Sequence, residues 1–176
     1  KQNPNRDRYG NAAWHFLRTS KSIGQIGTRS WVRDGVYVRL GQPSQSMFDA
    51  PLDGWIFQTK PKHLAPFVSQ VTKAHNIGVQ FNGGEIVVAP GPDHAVVVGW
   101  RSPVSGVFRA KGRFIHAQSC CGVNSQINWY VEKGGAPRSS PHPMKSLAKG
   151  TSDFGTGNKK SSFDIKGQRI RKGEFL

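Results

Sequence analysis

The sequence predicts a single all-β domain over residues 1–176, an antiparallel β-sandwich of jelly-roll type. Its 21 glycines and 11 prolines separate short apolar or alternating segments, a pattern typical of strands joined by turns. The second observation is the segment Val107–His116, in which apolar and cationic residues alternate as in a strand with one buried face. Because several connections between the segments are long, a jelly roll is favoured over a simple meander.

Residues 1–84 hold the N-terminal strands and loops of this prediction. Alternating or aromatic residues predict strands at Ala12–Leu17, Trp31–Leu40 and Leu52–Gln58. Pro61–Asn76 has a helical spacing of apolar residues, but its two prolines oppose a long helix. We therefore expect irregular chain there, with at most a short helical turn.

Residues 85–176 hold the central and C-terminal strands, and they begin with two apolar runs. Glu85–Ala89 is rich in β-branched residues, and the prolines and glycine of Pro90–Asp93 predict a turn. Ala95–Trp100 has the length of a strand that is buried on both faces.

The third central strand, Val107–His116, separates two kinds of side chain. Phe108, Ala110, Gly112 and Phe114 fall on one face, and Arg109, Lys111 and Arg113 on the other. This row of cations is either a binding surface or an ordinary solvated face.

Two further strands are predicted near the C-terminus, at Gln126–Val131 and Ser162–Ile170. Between them, Gly134–Lys160 reads as a long connection rich in Gly, Pro, Ser and Lys. After a turn at Lys172–Glu174, Phe175–Leu176 has the character of another strand. We therefore expect one or two strands to be missing or supplied elsewhere, leaving an open sheet edge for self-association.

The charge balance predicts an anionic partner. The 25 Lys and Arg residues against 10 Asp and Glu give a formal net charge of +15 and a pI near 10.4. Nucleic acid, anionic polysaccharide and acidic membranes all fit such a field. No apolar run reaches membrane-spanning length, and the start at Lys1 is consistent with a removed leader. We expect a secreted or cell-surface protein.

Several motifs in order carry a resemblance to a known class of module. They are Asn3-Pro4, Trp14-His15-Phe16, Gly54-Trp55, the Val-rich stretch Pro90–Pro103 and SGVFRAKGRF at residues 105–114. The order resembles extracellular jelly-roll modules of bacterial surface and polysaccharide-degrading proteins, and is similar to β-sandwich carbohydrate-binding modules. The resemblance implies a hairpin arm at Asn128–Gly135 and a further core strand after Ile170. It specifies fold better than ligand.

The aromatic residues divide into predicted core and candidate binding groups. Trp14, Trp55 and Trp100 match strand positions of the resembled modules and are expected in the core. Trp31 and Trp129 lie outside that pattern, and an aromatic ring beside cations suits an acidic sugar. For both Trp31 and Trp129, the alternative is an ordinary half-buried aromatic side chain on a strand. The predicted ligand-binding residues are Trp31, Tyr37, Arg109, Lys111, Arg113, Trp129 and Tyr130.

Cys120 and Cys121 are adjacent, so a disulfide between them would close a strained ring. Consecutive Cα atoms lie ~3.8 Å apart, below the roughly 4.4–6.8 Å of most disulfides. Two free thiols, or links to another chain, are the alternatives. No zinc spacing is present. Sandwich modules commonly hold calcium, but Asp93, Asp153 and Asp164 are scattered, so no cofactor is assigned.

No catalytic motif of the G-x-S-x-G or H-E-x-x-H kind occurs in the sequence. Together with the charge balance, the resemblance implies a non-catalytic module that binds an extracellular, anionic polysaccharide. An accessory role beside a polysaccharide lyase or hydrolase stays open. One alternative is a structural subunit of a surface layer, filament or matrix. The other is a basic nucleic-acid-binding protein, which is disfavoured because no recognised motif is present.

Overall fold

The computed structural model describes residues 3–19, 37–44, 52–57, 66–76, 80–91, 94–116, 126–135, 145–153 and 160–176. Fourteen strands lie in these ranges, and each pairs antiparallel with its neighbours. They are β1 (Asn5–Arg6), β2 (Ala12–Thr19), β3 (Tyr37–Arg39), β4 (Gln42–Ser44), β5 (Leu52–Ile56), β6 (Phe67–Val71), β7 (His75–Asn76), β8 (Gln80–Phe81), β9 (Ile86–Ala89), β10 (Val96–Trp100), β11 (Gly106–Ile115), β12 (Gln126–Lys133), β13 (Lys145–Asp153) and β14 (Lys160–Ile170). The predicted all-β class is confirmed, while the jelly-roll strand order stays a prediction.

Sheet I is built around β2, which pairs with β10 on one edge and with β1 and β3 on the other. The side chain of Asn3 fills the gap between β1 and β3. Its amide nitrogen donates to the carbonyls of Phe16 (2.8 Å) and Leu40 (2.9 Å), and its oxygen accepts from the Phe16 N–H at 3.1 Å. One side chain thus completes the hydrogen bonding of β2 where no strand does.

Sheet II has the strand order β4-β5-β6-β9, and it packs against sheet I. Trp55 and Val68 of sheet II form a buried cluster with Leu40, against which Phe16 and Val96 of sheet I pack. A second buried cluster, of Leu52, Ile56, Phe67 and Val71, lies on the other face of sheet II, where Phe81 contacts it. Two stacked layers of antiparallel strands are therefore present, as in a β-sandwich.

Gly54 lets β5 and β6 approach each other closely. A Cβ at this position would overlap the backbone carbonyl of Val68 and the side chain of Ser69, which faces Gly54 in the register. Any larger residue must therefore push the two strands apart.

Two sequence predictions for irregular chain are wrong. β6, at Phe67–Val71, lies inside Pro61–Asn76. A strand can form there because Pro66 precedes it and does not interrupt its hydrogen bonding. β13, at Lys145–Asp153, lies inside the predicted connection Gly134–Lys160. Its composition of Lys, Ser, Gly and Thr gave no apolar periodicity, and its pairing with β12 decides its structure.

Burial corrects two further predictions about sheet I. Ala95–Trp100 is not covered on both faces, because Val98 is 38% exposed. Trp14 is 42% exposed and stands opposite the half-buried Trp100 across β2 and β10, so neither is a fully buried core residue. Only Trp55 of the three is buried as predicted, at 7% exposed.

Phe175 and Leu176 add an extended segment beside β10. Leu176 exchanges hydrogen bonds with Trp100 (2.7 and 2.9 Å), and Phe175 exchanges them with Gly134 (3.0 and 2.8 Å). The Phe175 ring meets His15 of sheet I edge-on, with 5.0 Å between centroids. This segment therefore joins sheet I to the end of β12.

The remaining long strands form two hairpin-like pairs, β11–β14 and β12–β13. In each pair an aromatic ring lies over a glycine on the neighbouring strand: Phe163 over Gly112, and Trp129 over Gly150. Phe114 joins them, stacked on Trp129 with centroids 5.0 Å apart and rings 28° from parallel. This aromatic cluster holds the two pairs together and fixes which face of β11 points inward.

Candidate functional site

The cationic row of β11 is exposed, as the alternation predicts. Along Gly106–Ile115 the odd-numbered residues are exposed from Val107 onward, and the even-numbered ones are half-buried beyond Gly106. Phe114 is fixed inside the aromatic cluster, so Arg109, Lys111 and Arg113 must point outward. The packing of the inner face therefore sets the direction of the cations.

β14 adds two more cations to the same outer face. In the register, Arg169 stands opposite Val107 and Asp164 opposite Lys111, and Lys166 lies within 3.6 Å of the Asp164 carboxylate. We call the surface of β11 and β14 the cation face, and its basic residues are Arg109, Lys111, Arg113, Lys166 and Arg169.

A bulge explains why the sequence pattern did not place Arg169 beside Lys166. The register shifts between Phe108 and Ala110, where β14 contributes one extra residue, and Gly167 has a φ of +67°. A bulge of this kind reverses the alternation of the bulged strand. On β14, the even-numbered Lys166 before the bulge and the odd-numbered Arg169 after it therefore lie on the same face.

The strand ladder spaces the charges of the cation face. Alternate residues on a strand lie about 6.8 Å apart, and directly opposed residues on paired strands have Cβ atoms about 4.5–5.5 Å apart. The result is two rows of fixed charges on a hydrogen-bonded support. Such a surface matches a ligand that repeats its negative charges along a chain.

Of the β11 and β14 residues that we have placed on the cation face, Asp164 is the one carboxylate. The Arg109 guanidinium donates to it twice, from Nε at 2.8 Å and from a terminal nitrogen at 2.6 Å. These hydrogen bonds from Arg109 lower the pKa of Asp164 to about 2, so it stays ionised at ordinary pH. Arg109 is thereby oriented and partly neutralised.

Lys111 and Arg169 are the least compensated cations of the face. Within the part of the chain that the structure describes, neither has a carboxylate within 4.0 Å. Arg113 is in electrostatic reach of Glu85, whose pKa is lowered first by hydrogen bonds from Asn82 and further by the Arg113 charge. Positive charge therefore remains in excess across the face.

Three of the aromatic residues predicted to bind a ligand, Tyr37, Trp129 and Tyr130, lie within the described residues and away from the cation face. Trp129 belongs to the aromatic cluster on the inner side, and Tyr130, the next residue on β12, points to the opposite side of that strand. Tyr37 is 8% exposed, and burial together with the charge of Glu132 raises its pKa to about 12. Its ring is not offered to solvent.

Other predicted features lie outside the described residues. These are Trp31, Cys120, Cys121 and Asp93. Across the described ranges, no three His, Cys, Asp or Glu side chains come together as a metal ion would require.

One buried acid was not anticipated from the sequence. Glu132 of β12 is 9% exposed, and burial raises its pKa to about 7. The sequence carries no sign of it, because the pattern of one strand does not show which other elements cover Glu132; Tyr37 of β3 lies within electrostatic reach of this carboxyl.

Comparisons with protein-family models, with curated proteins and with solved structures found no match. The resemblance to carbohydrate-binding modules therefore stays a hypothesis from the sequence motifs. In the described ranges, no helix is long and apolar enough to cross a membrane.

Proposed function

We propose that this protein is a non-catalytic module that binds an acidic extracellular polysaccharide through the cation face. The observation that carries the proposal is the grouping of five cations around one carboxylate on an exposed pair of strands. Backbone hydrogen bonding and the aromatic cluster together keep these side chains on the outer side of β11 and β14. The strand ladder fixes the spacing of the residues that carry the charges, and their long side chains become ordered on binding.

The same face argues against single-stranded nucleic acid as the ligand. Proteins that bind single strands place aromatic rings on which the bases stack. On β11 and β14, the described rings of Phe108, Phe114 and Phe163 belong to the half-buried inner side. A polymer of sugars with carboxylate or sulfate groups is held by cations alone, since its charges lie outside the rings.

Affinity electrophoresis in gels that contain a polymer tests the proposal. The polymers are alginate, which is a polyuronate, dextran, which is neutral, and duplex DNA. The variant is Lys111→Gln with Arg113→Gln. The matched control, Lys145→Gln with Lys149→Gln, removes the same charge from exposed positions on β13.

We expect alginate to retard the wild-type protein and dextran to leave its mobility unchanged. The cation-face variant should bind alginate about two- to thirtyfold more weakly, since each exposed ion pair contributes about 0.2–1 kcal/mol. The control should stay close to wild type. Equal retention of the two variants would contradict the assignment of the face, and stronger retardation by DNA than by alginate would contradict the polysaccharide.

A further inference from the structure

A cavity of about 740 Å³ opens at one end of the cation face. It is lined by Val107 of β11, Lys133 of β12 and Arg169 of β14, together with Arg171 and Glu174 of the segment that follows. Val107 and Arg169 also stand opposite each other on the outer face, so the cavity is continuous with it. Its volume lies within the roughly 300–1,000 Å³ of ligand-binding pockets.

Lys133 is held in a defined position in this cavity. Its ammonium donates to the carbonyl of Arg169 at 2.7 Å and lies 3.5 Å from the Glu174 carboxylate. The side chain is 21% exposed, so its charge is screened less than that of a surface lysine. Because an ammonium has three hydrogens, one donor is left for a ligand after these two partners.

Glu174 does not cancel the positive charge of the cavity. Its carboxylate accepts the Arg171 N–H at 2.7 Å and faces Lys133, so both of these partners stabilise it in place. The guanidinium groups of Arg169 and Arg171 remain, and no carboxylate within the described ranges lies within 4.0 Å of either. Two arginines and a lysine therefore face one acid.

The rim of the cavity is tied to the body of the protein. The Lys172 N–H donates to the Ser105 hydroxyl at 2.8 Å, and Gly173 and Ser102 are joined at 2.8 Å through the backbone. Gly173 has a φ of +87°, which favours glycine at this turn. The residues that carry Arg171 and Glu174 are thus anchored to the start of β11.

We propose that this cavity binds the anionic group of one sugar residue, a carboxylate or a sulfate ester, beside the polymer that lies on the cation face. Arginine forks pair with such groups through two parallel hydrogen bonds, and the fixed ammonium of Lys133 supplies a third donor. The inference rests on the proposed function and adds a specific subsite to it. The cation face provides general attraction, whereas the cavity selects the sugar.

Saturation-transfer NMR on the whole chain tests the cavity with small probes. The probes are glucuronate, glucose 6-sulfate and glucose, which differ only in the charged group. The variants are Lys133→Gln and Arg171→Gln, and the control is Lys149→Gln, which removes one charge from an exposed position of β13 that does not line the cavity. Arg171 is exposed, so its variant keeps the test valid if loss of the Lys133 hydrogen bonds disturbs folding.

We expect saturation transfer to glucuronate, to glucose 6-sulfate or to both, and none to glucose. Each cavity variant should weaken binding of the anionic sugar about tenfold or more, as expected for a lost hydrogen bond to a charged group. The control should bind like wild type. The stronger of the two anionic probes identifies the group that the cavity recognises.

Two results would overturn the inference: no transfer to either anionic sugar, or transfer that Arg171→Gln leaves unchanged. Alginate retention by the wild-type protein then separates the two proposals. If alginate still retards the protein, the cation face stands and the cavity assignment is lost. If alginate fails as well, both proposals are wrong.

Discussion

Replacing Glu132 with glutamine should remove a large part of the pH dependence of stability near neutrality. The Glu132 carboxyl is almost fully covered, and burial raises its pKa from 4.5 to about 7. Between these two values the unfolded chain releases the proton while the folded protein keeps it. The stabilising effect is therefore complete below pH 4.5 and is lost as the pH rises through about 7.

The size of the effect follows from the difference between the two pKa values. One pKa unit corresponds to about 1.36 kcal/mol, so the full change across this range is on the order of 3 kcal/mol. Burial first, and the charge of Glu132 second, raise the pKa of Tyr37, so the two side chains lie within electrostatic reach of each other. Burial destabilises the ionised carboxylate of Glu132 in the folded protein, whereas the neutral amide of glutamine carries no such charge.

Urea unfolding from pH 4.5 to 8.5 measures this difference. The free energy of unfolding of wild type should fall relative to that of Glu132→Gln by up to about 3 kcal/mol over the range. Glu85→Gln is the control, because the pKa of Glu85 is lowered in the folded protein, so this side chain is ionised in both states from roughly pH 5.5 upward and adds no pH dependence near neutrality. A stability difference between wild type and Glu132→Gln that stays constant with pH would refute the reasoning.

Three further predictions concern the cation face and the packing of sheets I and II. Asp164→Asn should strengthen alginate binding severalfold in the gel assay, because it frees Arg109 and removes the carboxylate of the cation face; unchanged retention would contradict this. Gly54→Ala should lower the midpoint of urea unfolding by an amount worth about 1–3 kcal/mol, since its methyl group overlaps the Val68 carbonyl. Asn3→Ala should cost about 1–3 kcal/mol in the same measurement, because it removes the acceptor of the Phe16 N–H, while the Phe16 carbonyl keeps its hydrogen bond from the Leu40 N–H.

Alternation along single strands made much of the fold predictable. β11 carries its cations and its apolar residues at strictly alternate positions, and the structure has both sides where this pattern placed them. β6 and β13 were missed, because a proline precedes the first and the second has a polar composition; pairing with the neighbouring strands decides the structure of both. Local pattern cannot report such pairing.

The site was predictable only in part, for a physical reason. The sequence shows that side chains alternate between the two faces of a strand, but the packing of other elements decides which face is buried. Trp129 therefore lies in the aromatic cluster and Trp14 at the surface, the reverse of what the motifs suggested. The bulge near Gly167 changes the alternation of β14, so Arg169 joins the cation face without any sign in the sequence.

The most direct test of the central claim is an NMR titration of the ¹⁵N-labelled protein with a short alginate oligosaccharide. If the cation face binds the polymer, saturable changes in amide shift should concentrate at Arg109–Arg113 on β11 and at Asp164–Arg169 on β14. Shifts confined to other surfaces, such as the one around the exposed Trp14, or no saturable shifts at all, would contradict it.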